Sequence, residues 1–260
     1  MKIVRFANEG KARYGLLDGD TVRCIKGSPF AGFKGSGGVP ALDGSKYLLG
    51  DVRLLAPCRP SKIVCLGLNY RSHAEEYKLD IPKVPLLILK LSTAVIGPGD
   101  DIILPPNSIR VDYEGELGVV IGRKTKNVPL ERAKDCVLGY TCFNDVSERI
   151  NQAEDGQWTR AKSYDTFAPI GPCIETDVNP DDLNLEARLN DEIRQSARTG
   201  DLIFDVSTVI SFISGVMTLL PGDVIATGTP SGSDALKPGD VVEITIGGIG
   251  TLRNTVAVPR

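Results

Sequence analysis

Short apolar runs broken by Gly, Pro and Asp make up most of the chain, and many alternate with period two, the pattern of strands rather than helices. Lys2 to Ala7, Tyr14 to Leu17 and Thr21 to Ile25 predict three short strands, with Asp18-Gly19-Asp20 as a turn. The Gly/Ser-rich stretch from Gly32 to Gly44 predicts a loop. Ala56-Pro57-Cys58-Arg59-Pro60 predicts an extended linker, because proline fixes φ and removes ladder donors. The chain thus divides into a small N-terminal β domain, residues 1–57, and a larger domain, residues 58–260. In the larger part Lys62 to Leu66, Leu86 to Leu89 and Val137 to Phe143 read as strands, Leu185 to Ser196 as a hairpin turning at Asn190-Asp191, and Val241 to Val258 as two more strands. Asp112 to Ile121 alternates as well, with Tyr113, Leu117, Val119 and Ile121 on one parity and Glu114 and Glu116 on the other. The single long helical stripe is Asp205 to Leu219: Asp205 can cap it, and Val206, Val209, Ile210, Ile213, Val216, Met217 and Leu220 recur at helical spacing. Shorter helices are expected at Arg71 to Tyr77 and after Asp145, the latter carrying Arg149 and Gln152.

Composition narrows the partners. With 28 Gly and 17 Pro among 260 residues, a strand-rich fold with many turns is expected. A net charge of −3 without a basic block argues against nucleic acid and anionic membrane as partners. Met1-Lys2-Ile3-Val4-Arg5-Phe6 returns to charge too soon for a signal peptide, and no apolar run approaches spanning length. The six cysteines form no C-x-x-C pair, so they read as reduced core thiols of a cytoplasmic protein.

The candidate chemistry is acidic. Glu114 and Glu116 share one strand face, where like charges raise one pKa or call for a cation between them. Asp145 closes the following apolar run, and Lys162 supplies a positive charge that could lie near the acids. Three oxygen donors without neighbouring Cys or His suit Mg²⁺ or Mn²⁺, with Ca²⁺ the less suited choice. The plainer alternative is the solvated face of an edge strand. His73, the only histidine, is three residues before Glu76, so on a helix the two can touch. They are either a surface pair or a base oriented by a carboxylate. Leu79 to Pro85 reads as a loop suited to a lid, and Trp158 as a packing anchor rather than a ligand stack. Gly228-Thr229-Pro230-Ser231-Gly232 is a tight turn, or else an anion cradle to which the Thr229 hydroxyl contributes. No Walker loop, dinucleotide fingerprint or Gly-x-Ser-x-Gly elbow is present.

Taken together, Gly67-Leu68-Asn69-Tyr70 with His73 and Glu76, Asp112-Tyr113-Glu114-Gly115-Glu116-Leu117, Asn144-Asp145-Val146-Ser147, Gly156 to Asp165, and Leu220-Pro221-Gly222-Asp223 with Gly228 to Gly232 closely resemble the fumarylacetoacetate hydrolase family, from about residue 61 to the end. The resemblance implies an α+β, β-rich fold, with mixed β-sheets rolled into a barrel-like catalytic domain with few helices, behind a small β annex. It implies that Glu114, Glu116 and Asp145 bind metal, that Lys162 is an active-site lysine, and that His73 and Glu76 activate water beneath a lid. Gln152 and Thr229 match substrate-contacting positions, with Arg149 beside them, and a homodimer is implied. Two departures stand out: Ile150 replaces a usual acid, removing an expected partner of Arg149, and Leu91 stands where Lys-Pro-Ser is common.

The implied activity is metal-dependent hydrolysis of a C–C bond beside a 2-oxo acid, such as an acylpyruvate or fumarylpyruvate. Decarboxylation or tautomerisation of a 2-oxo or hydroxy-diene dioate uses the same electron sink. Paired-carboxylate glycoside hydrolysis fits less well, because adjacent strand carboxylates cannot flank a bond. A metal-stabilised binding protein without turnover is the alternative outside enzymes.

Overall fold

In the computed structural model, which describes residues 1–33, 38 and 40–259, the chain opens with β1 (Lys2–Asn8), β2 (Lys11–Asp18), β3 (Thr21–Ile25), β4 (Leu42–Leu48) and β5 (Arg53–Leu55). β1 to β4 pair antiparallel in sequence order, and β5 adds to β1. Of the loop expected at Gly32 to Gly44, residues 34–37 and 39 lie outside the described residues, and residues 42–44 belong to β4. The expected linker is no free tether: Ala56, Pro57, Cys58 and Pro60 are buried. Nor do the first strands form a sheet of their own, because β1 pairs with a strand far along the chain, Lys2 opposite Glu175 and Ile3 opposite Ile174.

The remainder supplies β6 (Ile63–Gly67), α1 (Arg71–Glu76), β7 (Leu86–Lys90), β8 (Val95–Ile96), β9 (Asp101–Ile103), β10 (Val111–Asp112), β11 (Gly115–Ile121), β12 (Val137–Asn144) and β13 (Ser147–Glu148). Then follow α2 (Arg149–Asp155), α3 (Thr159–Lys162), β14 (Ala168–Glu175), β15 (Asn184–Leu189), β16 (Glu192–Arg198), α4 (Val206–Val216), β17 (Val224–Ala226), β18 (Val241–Ile246) and β19 (Gly250–Ala257). The large mixed sheet runs β4-β3-β2-β1-β14-β12-β11-β17-β6-β7, and a second runs β16-β15-β18-β19-β9. The first is an open path: its end strands, β4 and β7, are not paired with each other among the described residues, so the expected rolling of the sheets does not close a barrel.

Every residue of β11 and β12 is buried. Leu117, Val119, Ile121, Tyr140 and Cys142 pack into a core shared with Leu185, Ile244 and Leu252 of the second sheet. The other face is not solvated either, since Val120, Phe143 and, where the β11/β12 register shifts, Leu138 join Ile63, Cys65 and Ile88 in a second core cluster. At about 1.5–3 kcal/mol for each fully buried large apolar side chain, two covered faces hold the central strands firmly. Glu116 has the parity of Val120, so it must emerge within that covered face.

Candidate functional site

The strand expected from Asp112 to Ile121 breaks at Tyr113 and Glu114, between β10 and β11. There the ladder gives way to local bonds: Glu114 N donates to Asn144 Oδ1 at 3.0 Å, and Asp145 N donates to Glu114 O at 2.8 Å. Because β11 and β12 are antiparallel, with Gly115 opposite Asn144, the start of one strand meets the end of the other. Glu114, Glu116 and Asp145 therefore converge, each offering one carboxylate oxygen within 4.8 Å of the others. They are only 3%, 1% and 1% exposed, which rules out the solvated-edge alternative.

The cations around them are unequally shared. Lys162, on the one-turn helix α3, donates to Glu114 Oε2 and Asp145 Oδ2, both at 2.7 Å. Lys90, at the end of β7 and fully buried, donates to Asp145 Oδ1 and, at 2.8 Å, to Val146 O. Arg149 reaches Glu114 Oε1 at 2.6 Å, Asp112 Oδ2 at 2.8 Å and Gln152 Oε1 at 2.8 Å. Arg149 thus has its partners without an acid at position 150, which corrects the expectation that Ile150 leaves it short of one. For Glu116 the one donor among the described residues is the Gly228 backbone N–H, at 2.8 Å from Oε2. Burial and the charges of Asp145 and Glu114 push its carboxyl well above the usual range. Burial also opposes ionisation of Glu114, but Arg149 and Lys162 outweigh it and hold that carboxyl low. Burial disfavours the Lys162 ammonium, yet Asp145 and Glu114 raise its pKa and keep it charged.

Glu114, Glu116 and Lys162 line a cavity of about 710 Å³, together with His73, Arg149, Gln152 and Thr229. Asp145, bonded to Lys162, is not part of that lining. His73 lies on α1 and is 8% exposed; its Nδ1 is 3.5 Å from Glu76 Oε2 and has no other partner among the described residues. Burial lowers its pKa, helped by Arg149 and opposed by Glu114 and Glu76, so the ring is neutral at pH 7. Glu76 is outside the cavity wall, where its carboxylate also accepts from Gly232 N at 3.1 Å. Trp158 serves both ways, packed against the second core cluster and lining the cavity. The Thr229 hydroxyl donates to Gly115 O at 2.9 Å and accepts from Gln195 Nε2 at 2.8 Å, so its proton is already committed within the protein.

Four neighbours were not anticipated. Lys90 ends an apolar run, and a lysine on a buried strand was the available signal. Gln195, on β16 of the expected hairpin, accepts from Gly115 N at 2.9 Å between the two glutamates. Asp112 links Arg149 to Arg110, accepting from Arg110 Nε at 2.9 Å. Asn69 ties the end of β6 to the rest, donating to Thr227 O at 2.7 Å and accepting from Phe204 N at 2.8 Å.

Three clustered carboxylates, one without a cationic partner among the described residues, form an oxygen donor set that fits a hard divalent cation. Fold and site together define a β-rich protein with an acidic, metal-fitting centre at the wall of a cavity. The chain belongs to the fumarylacetoacetate hydrolase family: residues 62–257 match the family described as Fumarylacetoacetate (FAA) hydrolase C-terminal, and residues 1–57 match Rv2993c-like, N-terminal. It is 38% identical to a 2,4-didehydro-3-deoxy-L-rhamnonate hydrolase of Sphingomonas sp. (strain SKA58), over 99% of this chain and 96% of that one. Its structure is similar to that of 5-carboxymethyl-2-hydroxymuconate delta-isomerase from Mycobacterium smegmatis, with a TM-score of 0.92, 44% identity and complete coverage of both chains. It is also similar to maleylpyruvate hydrolase from Sphingobium sp. SYK-6 in complex with manganese(II) and pyruvate, with a TM-score of 0.81, 32% identity and complete coverage of both. The family is one of enzymes, with hydrolases and an isomerase among these relatives. No helix among the described residues is long and apolar enough to cross a membrane.

Proposed function

We propose that the protein is a divalent-metal-dependent hydrolase of the C–C bond beside the 2-oxo group of an acylpyruvate or related diketo acid. The observation that carries this reading is one cavity faced both by the carboxylate cluster and by a neutral, buried histidine. Mg²⁺ or Mn²⁺ held by Glu114, Glu116 and Asp145 would supply a Lewis acid for the substrate's carboxylate and 2-oxo oxygens.

The chain's own residues then divide the work. His73, its Nδ1 turned to Glu76, has Nε2 left to take a proton from water as the water oxygen adds to the distal carbonyl. The C–C bond breaks, and its electron pair passes toward the 2-oxo side. There Lys162 and Arg149 hold fixed positive potential in a site shielded from solvent. The imidazolium returns its proton to the released carbon, giving pyruvate and a carboxylic acid. The manganese and pyruvate bound to the maleylpyruvate hydrolase relative support this reading.

The likeness to an isomerase favours a second reading, in which the same electron sink serves tautomerisation or decarboxylation without water attack. The two part at His73. His73→Ala removes the base and leaves the acids and Lys162, so acylpyruvate hydrolysis should fall by roughly a hundredfold to ten-thousandfold. Oxaloacetate decarboxylation should fall far less. Both rates are measured under one metal concentration. A parallel fall would mean that His73 holds substrate rather than activating water, and would favour the second reading.

A further inference from the structure

On the 2-oxo acid reading above, we infer that the part of the substrate beyond its 2-oxo acid group is uncharged and largely apolar, so that a monocarboxylate is the cognate class and a dicarboxylate is not. Two observations lead there independently: the chemistry of the cavity wall and the state of its cations.

The cavity is lined by the charged cluster and by a set of apolar residues. Arg149 begins α2 beside Glu114. At a rise of about 1.5 Å per residue, Ala153 and the C-cap Gly156 lie roughly 6 and 10 Å further along the axis of α2. Trp158 follows, one turn before Lys162 and bonded to it through Lys162 N and Trp158 O at 3.1 Å. The apolar part of the lining is Leu68, Leu79, Ile88, Ile150, Ala153 and Trp158, and the polar groups near it, Gln152 and Tyr77, are neutral. A carboxylate placed among these residues loses hydration and gains no charged partner in exchange.

The cavity's cations cannot make up that loss. Among the described residues that line it they are Arg110, Arg149 and Lys162, with His73 neutral. Lys162 is taken up by Glu114 and Asp145, and Arg149 by Asp112 and Glu114. Arg110, at the rim, grips Asp112 with Nε at 2.9 Å and Nη2 at 3.2 Å, and lies 3.8 Å from Asp234. Within the ion-paired cluster the buried carboxylates are Asp112, Glu114, Glu116 and Asp145 and the buried or nearly buried cations are Lys90, Lys162 and Arg149, while the buried Glu148, which caps α2, only adds negative charge beside it. Adding a divalent ion leaves an excess of at most one positive charge in this cluster, or two with Arg110, and Glu148 lowers either figure by one. One substrate carboxylate and the negative charge that develops on the 2-oxo oxygen consume it. A second carboxylate would have no partner. Ile150, which lines the cavity one residue after Arg149, is the position that most directly sets this preference.

Trp158, the only tryptophan, reports occupancy of this wall without any turnover. Its emission is followed in Mg²⁺-loaded protein titrated with 2-oxohexanoate and with 2-oxoadipate, acids of equal length that differ in a terminal carboxylate. 2-Oxohexanoate should bind more tightly by roughly tenfold or more. Ile150→Arg should narrow or reverse that gap by improving 2-oxoadipate. Equal or tighter binding of 2-oxoadipate to the unaltered protein would overturn the inference, with no reliance on the variant. If the Mg²⁺-loaded protein binds neither acid, the 2-oxo acid reading falls and the inference with it. If 2-oxohexanoate is preferred and no acylpyruvate is hydrolysed, the reaction assignment fails alone and the preference stands.

Discussion

Lys162 touches two of the three clustered carboxylates, and its contribution can be separated from theirs. If it stabilises negative charge as the C–C bond breaks, Lys162→Met should lower kcat by roughly a hundredfold or more, the scale for losing one such group. Mn²⁺ affinity should hold or rise, because the substitution removes a positive charge beside Glu114 and Asp145. Normal kcat in this variant would reduce Lys162 to a structural ion-pair lysine. His73 makes a pH prediction. Burial holds its pKa below the ordinary 6.5, so the ring stays neutral, and competent as a base, at and somewhat below that pH. Hydrolytic kcat/KM should therefore be level from about pH 8 to about 6.5 and fall only on the acid side of that value. A limb that begins above pH 7 would contradict a buried, neutral His73.

Among the elements, α4 shows how far a helical pattern carries and where it stops. Asp205 caps it as its position suggests, accepting from Thr208 N at 2.7 Å. Asp205→Ala should cost about 1 kcal/mol of stability, read from the urea midpoint at unchanged slope. Val206, Val209, Ile210 and Ile213 are buried as the stripe implies, but the helix ends at Val216 rather than Leu219. Val216 and Leu220 are 58% and 39% exposed: apolar spacing continued past the point where Met217 turns extended. The hairpin at Asn190-Asp191 was legible because a two-residue turn of this kind needs positive φ at both positions, which Asn and Asp tolerate; they have 51° and 69°. The break between β10 and β11 was not legible, since an Asn144 side chain, thirty residues away, replaces the ladder there. Lys90 was missed for a similar reason: it meets Asp145 only because β7 pairs with β6 and β6 with β17 across the sheet. Local periodicity identified which residues share a face, but not what covers it.

For the molecule as a whole, that covering decides the chemistry. Alternation along Asp112 to Ile121 suggested one wet face, whereas the second core cluster dries both, so the glutamates are held in a medium where an unpaired charge is costly. The cluster is consequently short of positive charge at Glu116, and a divalent cation fits that deficit. The N-terminal strands join the large sheet through the pairing of β1 with β14. The most direct test of this account is a titration of Mn²⁺ into chelator-stripped protein, following pyruvate release from a simple acylpyruvate, alongside Glu116→Gln. The rate should climb from near zero to a plateau at one ion per chain, and Glu116→Gln, which keeps the shape and removes a charge, should need far more metal and reach a much lower plateau. Full activity in the stripped protein, or an unchanged titration in Glu116→Gln, would contradict it.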